Sequence, residues 1–542
     1  MTELLQDAIA SQAERRPDAL AVVLHEDRQS YGDLECESNQ LAGLLRAAGV
    51  KRGDRVCLLM PKSPAVLVAM LGVLKADATY VPLDPASPAP RIAKMIASCD
   101  DRWILTADPA HHMLNELLAD PEFAAAHSLG WMSSTPPDTI IAPEFCRSDL
   151  RAVGTAALTR RNSAADPAQI LFTSGSTGVP KGVVISHSNA VSFLDWACDY
   201  FGTSSSDRIS WHPPLHFDLS TFDVFGTLRS GATLYPVPAE LSLFPHRLAQ
   251  FIRDTELTQW FSVPSVLNYV AKFDALREGD FPALRRVLWC GEVLPTPTLM
   301  YWMQRLPHAS FTNLYGPTEA TVASSYYTVP ECPKDARAEI PIGEACRGEE
   351  LLVLDESLRP VPPGDLGDLY IGGAGLSLGY WRDSEKTQSA FPDYEAPGGT
   401  RRRIYRTGDL ARRGKDGLAY YVGRADTQIK SRGYRIELGE IEAALHSFSF
   451  LKDCAVVAIP STGFDGMTIC CAYVAQDSGA TSATTLRAEL AKLIPAYMLP
   501  SRWLVLDELP KNPNGKIDRR RLKETFLQPG GPGVALSAAV PT

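Results

Sequence analysis

The stretch LFTSGSTGVPKG, Leu171 to Gly182, sets three glycines, four hydroxyl side chains and one lysine behind an apolar pair. A loop of this kind between a strand and a helix offers backbone N–H groups and hydroxyls to an anion, and glycine allows close approach. Lys181 adds a point charge. The GxxxxGK[ST] spacing is not met: counting from Gly175, Pro180 stands where a glycine is needed, and Gly182 where a hydroxyl is needed. Phosphate is the ligand such a loop suits. An ordinary flexible surface turn fits the same composition.

Four other stretches carry side chains able to do chemistry. YGPTEAT, Tyr315 to Thr321, offers an aromatic face, a Gly-Pro turn, a hydroxyl and a carboxylate. YRTGDL, Tyr405 to Leu410, places Asp409 after a glycine turn, and GRADTQIKSRGYRIELGEIE, Gly423 to Glu442, follows closely. PKNPNGKIDR, Pro510 to Arg519, sets Lys516 on a turn. Taken singly, each has a plain structural reading. Asp409 reads as a turn residue, Lys516 as a solvated lysine, and Glu319 as an acid near a helix start, favoured by the dipole.

The elements that must position these residues read as alternating strands and helices. AVVLHE, RVCLLM and WILTAD are short strand-like runs, and YGDLECESNQLAGLLRAAGV has helical spacing and ends near Gly49. LTQWFSVPS and LRRVLWCGE end in turn residues, and the carboxyl ends of strands are where α/β sheets hold ligands. This rhythm predicts an α/β fold with largely parallel strands. From about residue 340 short strands with Gly/Pro turns predict a β-rich subdomain, followed near Asp426 by a small α+β segment. The expected domains are 1–425, a core of two parallel α/β subdomains plus the β-rich one; 426–527, a small mobile domain; and 528–542, a Pro/Gly/Ala-rich disordered tail.

Composition excludes several classes. The chain has 542 residues, ample for more than one domain, with 45% hydrophobic residues. Its net charge of −10 argues against a nucleic-acid partner. Eleven scattered cysteines without a CxxC pair predict reduced thiols in a cytoplasmic protein, with no zinc site. The N-terminus lacks the apolar core of a signal peptide, and no long apolar run predicts a membrane span.

In this order and at these separations, the motifs resemble the adenylate-forming superfamily, and more closely the stand-alone amino-acid adenylation domains of nonribosomal peptide and hybrid polyketide biosynthesis. The resemblance runs from about Tyr31 to Leu522. One departure is LKADATYVPLDP, where Asp77 stands at a position the family usually fills with a small residue. The resemblance implies an enzyme that joins an amino acid to ATP as aminoacyl-AMP, releases pyrophosphate, and passes the acyl group to a phosphopantetheine thiol. Catalysis would be mostly positioning and charge neutralisation.

By that resemblance, Thr173, Ser174, Gly175, Ser176, Thr177 and Lys181 hold the β- and γ-phosphates. Tyr315, with Gly316 beside it, stacks on adenine, and Asn313 lies near its amino edge. Thr318 contacts the α-phosphate and Glu319 ligates Mg²⁺. Asp409 takes the ribose hydroxyls, assisted by Arg424. Lys516 bridges the substrate carboxylate and the developing charge. Asp426 is the hinge about which the C-terminal segment rotates between half-reactions. The loop around Gly433 then faces the incoming thiol.

The substrate class follows from HFDLSTFDVFG, His216 to Gly226. An Asp at the position of Asp218 binds the substrate ammonium in the family; a helix-capping Asp is the structural alternative. Asp218 and Lys516 would clamp a zwitterion. The carried-over pocket is Asp218, Leu219, Phe222, Ser262, Leu288, Cys290, Leu314, Val322, Ala323 and Lys516. It is mainly apolar, which disfavours a charged side chain, and Phe222 could fill its floor. The expected substrate is a small neutral α-amino acid: alanine first, then proline, serine, cysteine or glycine.

No carrier-like segment follows Leu522, so the expectation is a free-standing enzyme that meets its carrier protein in trans; the resemblance makes a monomer the expected state. RRRIYR, Arg401 to Arg406, is a candidate basic patch for that partner, or a solvated turn. The alternatives are an acyl- or aryl-CoA ligase of the same superfamily, which Asp218 argues against, a non-catalytic binding module of the same fold, and an amide-forming ligase acting on a free amine.

Overall fold

The computed structural model describes residues 4–100, 102–133, 138–175, 178–461, 466–476, 482–512, 516–528 and 534–535. Several of the helices start at a capping serine hydroxyl. Ser30 accepts from Asp33 N, and Asp33 returns the bond, before helix Tyr31–Ala47. Ser63 accepts from Val66 N before Pro64–Lys75, and Ser186 from Asn189 N before His187–Phe201. The chain leaves the first of these helices through Gly49, at φ +99°.

By contact density the chain divides into two units: residues 1–85, 96–172 and 182–425, and residues 86–95, 173–181 and 426–542. In the first, the described strands form two large sheets. One pairs Arg55–Leu59 in parallel with Thr79–Pro82 and Trp103–Thr106. The other runs Arg208–Trp211, Gln259–Ser262, Arg286–Cys290 and Ser310–Tyr315 in parallel. Its last strand turns back antiparallel into Ser325–Thr328. A four-stranded antiparallel sheet, Glu349–Leu354, Leu366–Gly373, Tyr405–Arg413 and Ala419–Arg424, makes the β-rich part. The mixed, mainly parallel α/β architecture with a later β-rich portion is the one the sequence predicts.

In the second unit, Gln428–Ser431 and Tyr434–Glu437 form a hairpin, and Leu451–Pro460 pairs antiparallel with Met467–Ala475. Arg432 and Gly433, at φ +53° and +81°, are the two turn residues of the hairpin. This doubly left-handed loop matches the twist of the flanking strands and is why glycine stands at 433. Of the expected tail, only Gln528, Val534 and Ala535 lie among the described residues, and the last two pair with Arg502–Trp503.

Asp77 adopts φ +64°, a conformation that suits glycine better. Its carboxylate compensates: it accepts from Arg161 N at 3.1 Å and Asn162 N at 3.2 Å, and pairs with Arg46 at 2.5 Å. The arginines of RRRIYR do not form a solvated turn. Arg401–Arg403 is a strand paired with Asp393–Glu395, and Arg401, Arg402 and Arg406 meet Glu395, Glu350 and Asp368. Those carboxylates offset part of the positive charge of the candidate patch. The cysteines are free thiols, seven of them buried. Among the described residues no helix is long and apolar enough to cross a membrane.

Candidate active site

Three parallel strands of the first unit end side by side, and their last residues supply one wall of the predicted pocket. Ser262 pairs with Trp289 and Cys290 with Leu314, so these carboxyl ends are in register. Leu219, Phe222, Leu288, Cys290, Leu314, Val322 and Ala323 all belong to one buried apolar cluster. Ser262 is fully buried, and its hydroxyl accepts from the Trp260 indole at 2.9 Å.

Asp218 stands just before the short helix Leu219–Thr221, yet its side chain makes no capping bond. It is 9% exposed, and Oδ2 accepts from Thr318 Oγ1 at 2.7 Å. The capping alternative is therefore not the one this side chain adopts. The residues after Asp218 are tied to the sheets behind them. Ser220 accepts from Trp211 Nε1 at 2.6 Å, and Thr221 from Gln169 Nε2 at 3.1 Å. Phe222–Gly226 is a π-helical turn, an irregularity frequent at functional sites. Phe222 stacks edge-on against Phe193 at 5.7 Å between centroids.

The YGPTEAT segment folds back tightly. A Cβ on Gly316 would lie 2.6 Å from Ala323 Cα and 2.9 Å from Ser324 N, so only glycine fits. Thr321 and Val322 follow at φ +56° and +69°. For β-branched residues this is strained backbone, of a kind concentrated at sites where a chain must present groups in a fixed way. Glu319 is fully buried, and its Oε1 accepts from Tyr380 OH at 2.8 Å. Tyr380 carries no motif that would single it out in the sequence.

Tyr315, Asp409 and Arg424 converge. Tyr315 OH donates to Asp409 Oδ2, while Arg424 donates to Oδ1 at 2.8 Å. Asp409 and Arg424 are cross-strand partners, so the sheet register sets the pair. Burial first, and then the adjacent Asp409 charge, push the Tyr315 phenol well above its usual range. It stays a neutral donor. Asn313 donates to Pro341 O at 2.9 Å.

The remaining predicted residues belong to the second unit. Ser176 and Thr177 lie outside the described residues. Thr173 Oγ1 has no hydrogen-bond partner among the described residues. Ser174 Oγ donates to Arg435 O at 2.7 Å, and Gly175 N to Glu440 Oε2 at 3.3 Å. A Cβ on Gly175 would fall 1.9 Å from Val179 O, so this turn too requires glycine. Asp426 Oδ1 accepts from Gln428 N at 3.0 Å, starting the hairpin that carries Gly433. Lys516 is exposed; its backbone N–H donates to Asn512 Oδ1 at 3.1 Å.

No group of three or more His, Cys, Asp or Glu able to hold a metal occurs among the described residues. Glu319 alone could contribute a carboxylate, which fits Mg²⁺ completed by oxygens of a bound nucleotide and water.

The chain thus has a mainly parallel α/β core carrying the YGPTEAT segment and a smaller unit made of residues 426–542 with 86–95 and 173–181. Residues 9–381 match the model of the AMP-binding enzyme family, and residues 440–516 that of the AMP-binding enzyme C-terminal domain. The chain belongs to the AMP-binding enzyme family. It is 34% identical to the L-proline--[L-prolyl-carrier protein] ligase of Pseudomonas fluorescens, over 95% of this chain and 98% of that one. It is 37% identical to the dimodular nonribosomal peptide synthase of Bacillus subtilis over 96% of this chain, and spans 21% of that synthase's length. The solved Vibrio cholerae adenylation domain AlmE, in complex with glycyl-adenosine-5'-phosphate, matches with a TM-score of 0.81 at 25% identity, covering 97% of this chain and 98% of that one. These relatives bear out the resemblance to amino-acid adenylation domains.

Proposed function

We propose that the chain activates a small neutral α-amino acid and loads it onto a carrier protein. The amino-acid carboxylate attacks the α-phosphorus of ATP and pyrophosphate leaves. The phosphopantetheine thiol of the carrier then attacks the acyl carbonyl and AMP leaves. The observation that carries the reading is Asp218: a buried carboxylate that caps no helix, at the edge of an apolar cluster, hydrogen-bonded to Thr318. A carboxylate so placed recognises an ammonium by a charge-assisted hydrogen bond. An acid lacking the amino group would bring no countercharge to this buried carboxylate, which disfavours its binding.

The other roles follow in the same reading. Thr318 passes its hydroxyl from Asp218 to the α-phosphate region as substrate arrives. Asp409, held by Arg424 and Tyr315, takes the ribose hydroxyls. Glu319 would hold Mg²⁺, which supplies charge neutralisation at the phosphates when bound. Lys516 approaches the substrate carboxylate in the first half-reaction. Asp426 is the hinge, and the Arg432–Gly433 turn meets the thiol in the second. The apolar walls support a small uncharged side chain. Alanine and proline lead, proline because a relative named for that substrate matches 95% of the chain. The working state is a cytoplasmic monomer.

Amino-acid-dependent ATP–pyrophosphate exchange tests the reading, across small, aromatic and charged amino acids and fatty and aryl acids. Exchange with a small neutral amino acid, lost in Asp218→Ala and Lys516→Ala, is expected. Exchange only with acids lacking an amino group would move the chain to the acyl ligases.

A further inference from the structure

Behind the turn that carries Asp218 and Phe222 lies a polar cluster that none of the assigned roles uses. Lys62, in the loop between strand Arg55–Leu59 and helix Pro64–Lys75, donates from Nζ to the carbonyls of Trp211 at 3.0 Å and His212 at 2.8 Å. Those carbonyls end strand Arg208–Trp211. The Trp211 carbonyl also accepts from Val237 N at 3.0 Å, whereas the His212 carbonyl lies past the strand end, and a buried carbonyl without a donor costs about 1–3 kcal/mol. Lys62 gives the His212 carbonyl its donor and the Trp211 carbonyl a second one, tying the two together.

Trp211 transmits the constraint forward. Its backbone is held by Lys62, and its indole N–H donates to Ser220 Oγ. Ser220 lies two residues after Asp218 and two before Phe222. Asp223, next to Phe222, is fully buried with neither carboxylate oxygen in a well-formed hydrogen bond. Burial drives its pKa well above the usual carboxylate range, and the Lys62 ammonium is the foremost opposing influence. Burial in turn lowers Lys62 to about 7, opposed by Asp223 and Glu240. The Lys62 amine thus caps the strand end, and Asp223 is the carboxylate that acts on it most strongly.

We propose that Lys62 is a positioning residue for the amino-acid pocket, acting through Trp211 and Ser220 on the turn that presents Asp218 and Phe222. The inference rests on the reading of that turn as the amino-acid site. Loss of the strut lets Asp218 drift, and a misplacement of about 1 Å is enough to cost as much as 100-fold. The nucleotide end, built on Tyr315, Asp409 and Arg424, takes no support from Lys62 and stays in place.

Pyrophosphate exchange on the full chain tests this, with the amino acid and ATP varied separately. Lys62→Met should raise the amino-acid KM at least tenfold and leave the ATP KM within twofold. Lys62→Arg, which keeps donors for both carbonyls, should restore the amino-acid KM to within about threefold. Ser220→Ala cuts the far end of the strut, should shift the same parameter in the same direction, and serves if Lys62→Met does not fold. Unchanged amino-acid KM in Ser220→Ala and Lys62→Met overturns the proposal, as does an equal rise in both KM values, which marks a merely structural lysine. Absence of amino-acid-dependent exchange in the unsubstituted chain overturns the reading itself, and is distinguishable because no variant is needed to see it.

Discussion

The hydroxyl of Thr318 donates to the carboxylate of Asp218 across 2.7 Å, joining two residues 100 positions apart. One lies in the segment assigned to phosphate and the other in the segment assigned to ammonium. In the proposed reading, this polar pair would serve both ends of the substrate, the carboxylate to be activated and the amino group. Asp218→Asn keeps the acceptor for Thr318 and removes the charge. A hydrogen bond to a charged group contributes about 1.5–3 kcal/mol, which is roughly 10–150-fold at 1.36 kcal/mol per decade. The amino-acid KM should rise by that factor while the ATP KM holds. An unchanged amino-acid KM would remove Asp218 from the clamp.

The nucleotide end should respond independently. Asp409 holds Arg424 and Tyr315 at once, with side-chain exposures of 4% for Asp409 and 11% for Arg424. Asp409→Asn removes the countercharge of the buried Arg424 guanidinium, which keeps its bond to Thr407 O at 3.3 Å, at a cost of about 3–5 kcal/mol. Tyr315→Phe removes one donor and leaves the ion pair, at about 1.5–3 kcal/mol. Urea midpoints should fall in that order, and Asp409→Asn should raise the ATP KM with the amino-acid KM unmoved. The reverse order of midpoints would mean that the tyrosine, not the ion pair, holds the sheet end together.

Much of this was legible in the sequence, for a physical reason. Strand and helix runs are local patterns, and caps such as Ser30 with Asp33 lie within one turn. The glycines announce backbone that admits no side chain, as at Gly316. What the sequence does not reveal is contact across distance. Tyr380 reaches Glu319 from 61 residues away, and Lys62 reaches Trp211 from 149. Neither has a motif, because its role is set by the sheet order and not by its neighbours. The run of arginines misleads for the same reason: their carboxylate partners include Glu350 and Asp368, outside the run.

Two glycines make a matched test of the close approach. In Gly316→Ala the new Cβ would meet backbone at 2.6 and 2.9 Å, while at Gly423, beside Arg424, a Cβ meets nothing within 4 Å. Overpacking against backbone costs about 1–3 kcal/mol or more. An alanine in open space on a strand is neutral or mildly stabilising. Gly316→Ala should lower the melting temperature and abolish exchange, and Gly423→Ala should do neither. Equal tolerance of both would mean that the YGPTEAT turn opens readily.

Acid stability should depend on His187. The ring is fully buried, and its Nδ1 accepts from Leu5 N at 3.3 Å. It is the first residue of helix His187–Phe201, where a positive charge is disfavoured by the helix dipole. Burial pushes its pKa from 6.5 down to about 4, against the pull of Asp166 and Asp77. Between those values the unfolded chain binds the proton and the folded chain does not. Stability from this group is therefore complete above pH 6.5, falls as the pH drops toward 4, and levels off below. At 1.36 kcal/mol per unit the full effect is about 3 kcal/mol at most. His187→Asn keeps a short polar side chain that does not titrate, so its curve should lie lower at neutral pH and fall less steeply between pH 6.5 and 4. Urea midpoints at several pH values for both proteins isolate the term, since every other acid-sensitive group is shared. Parallel curves would show that His187 already carries its proton in the fold, and that the helix start tolerates the charge.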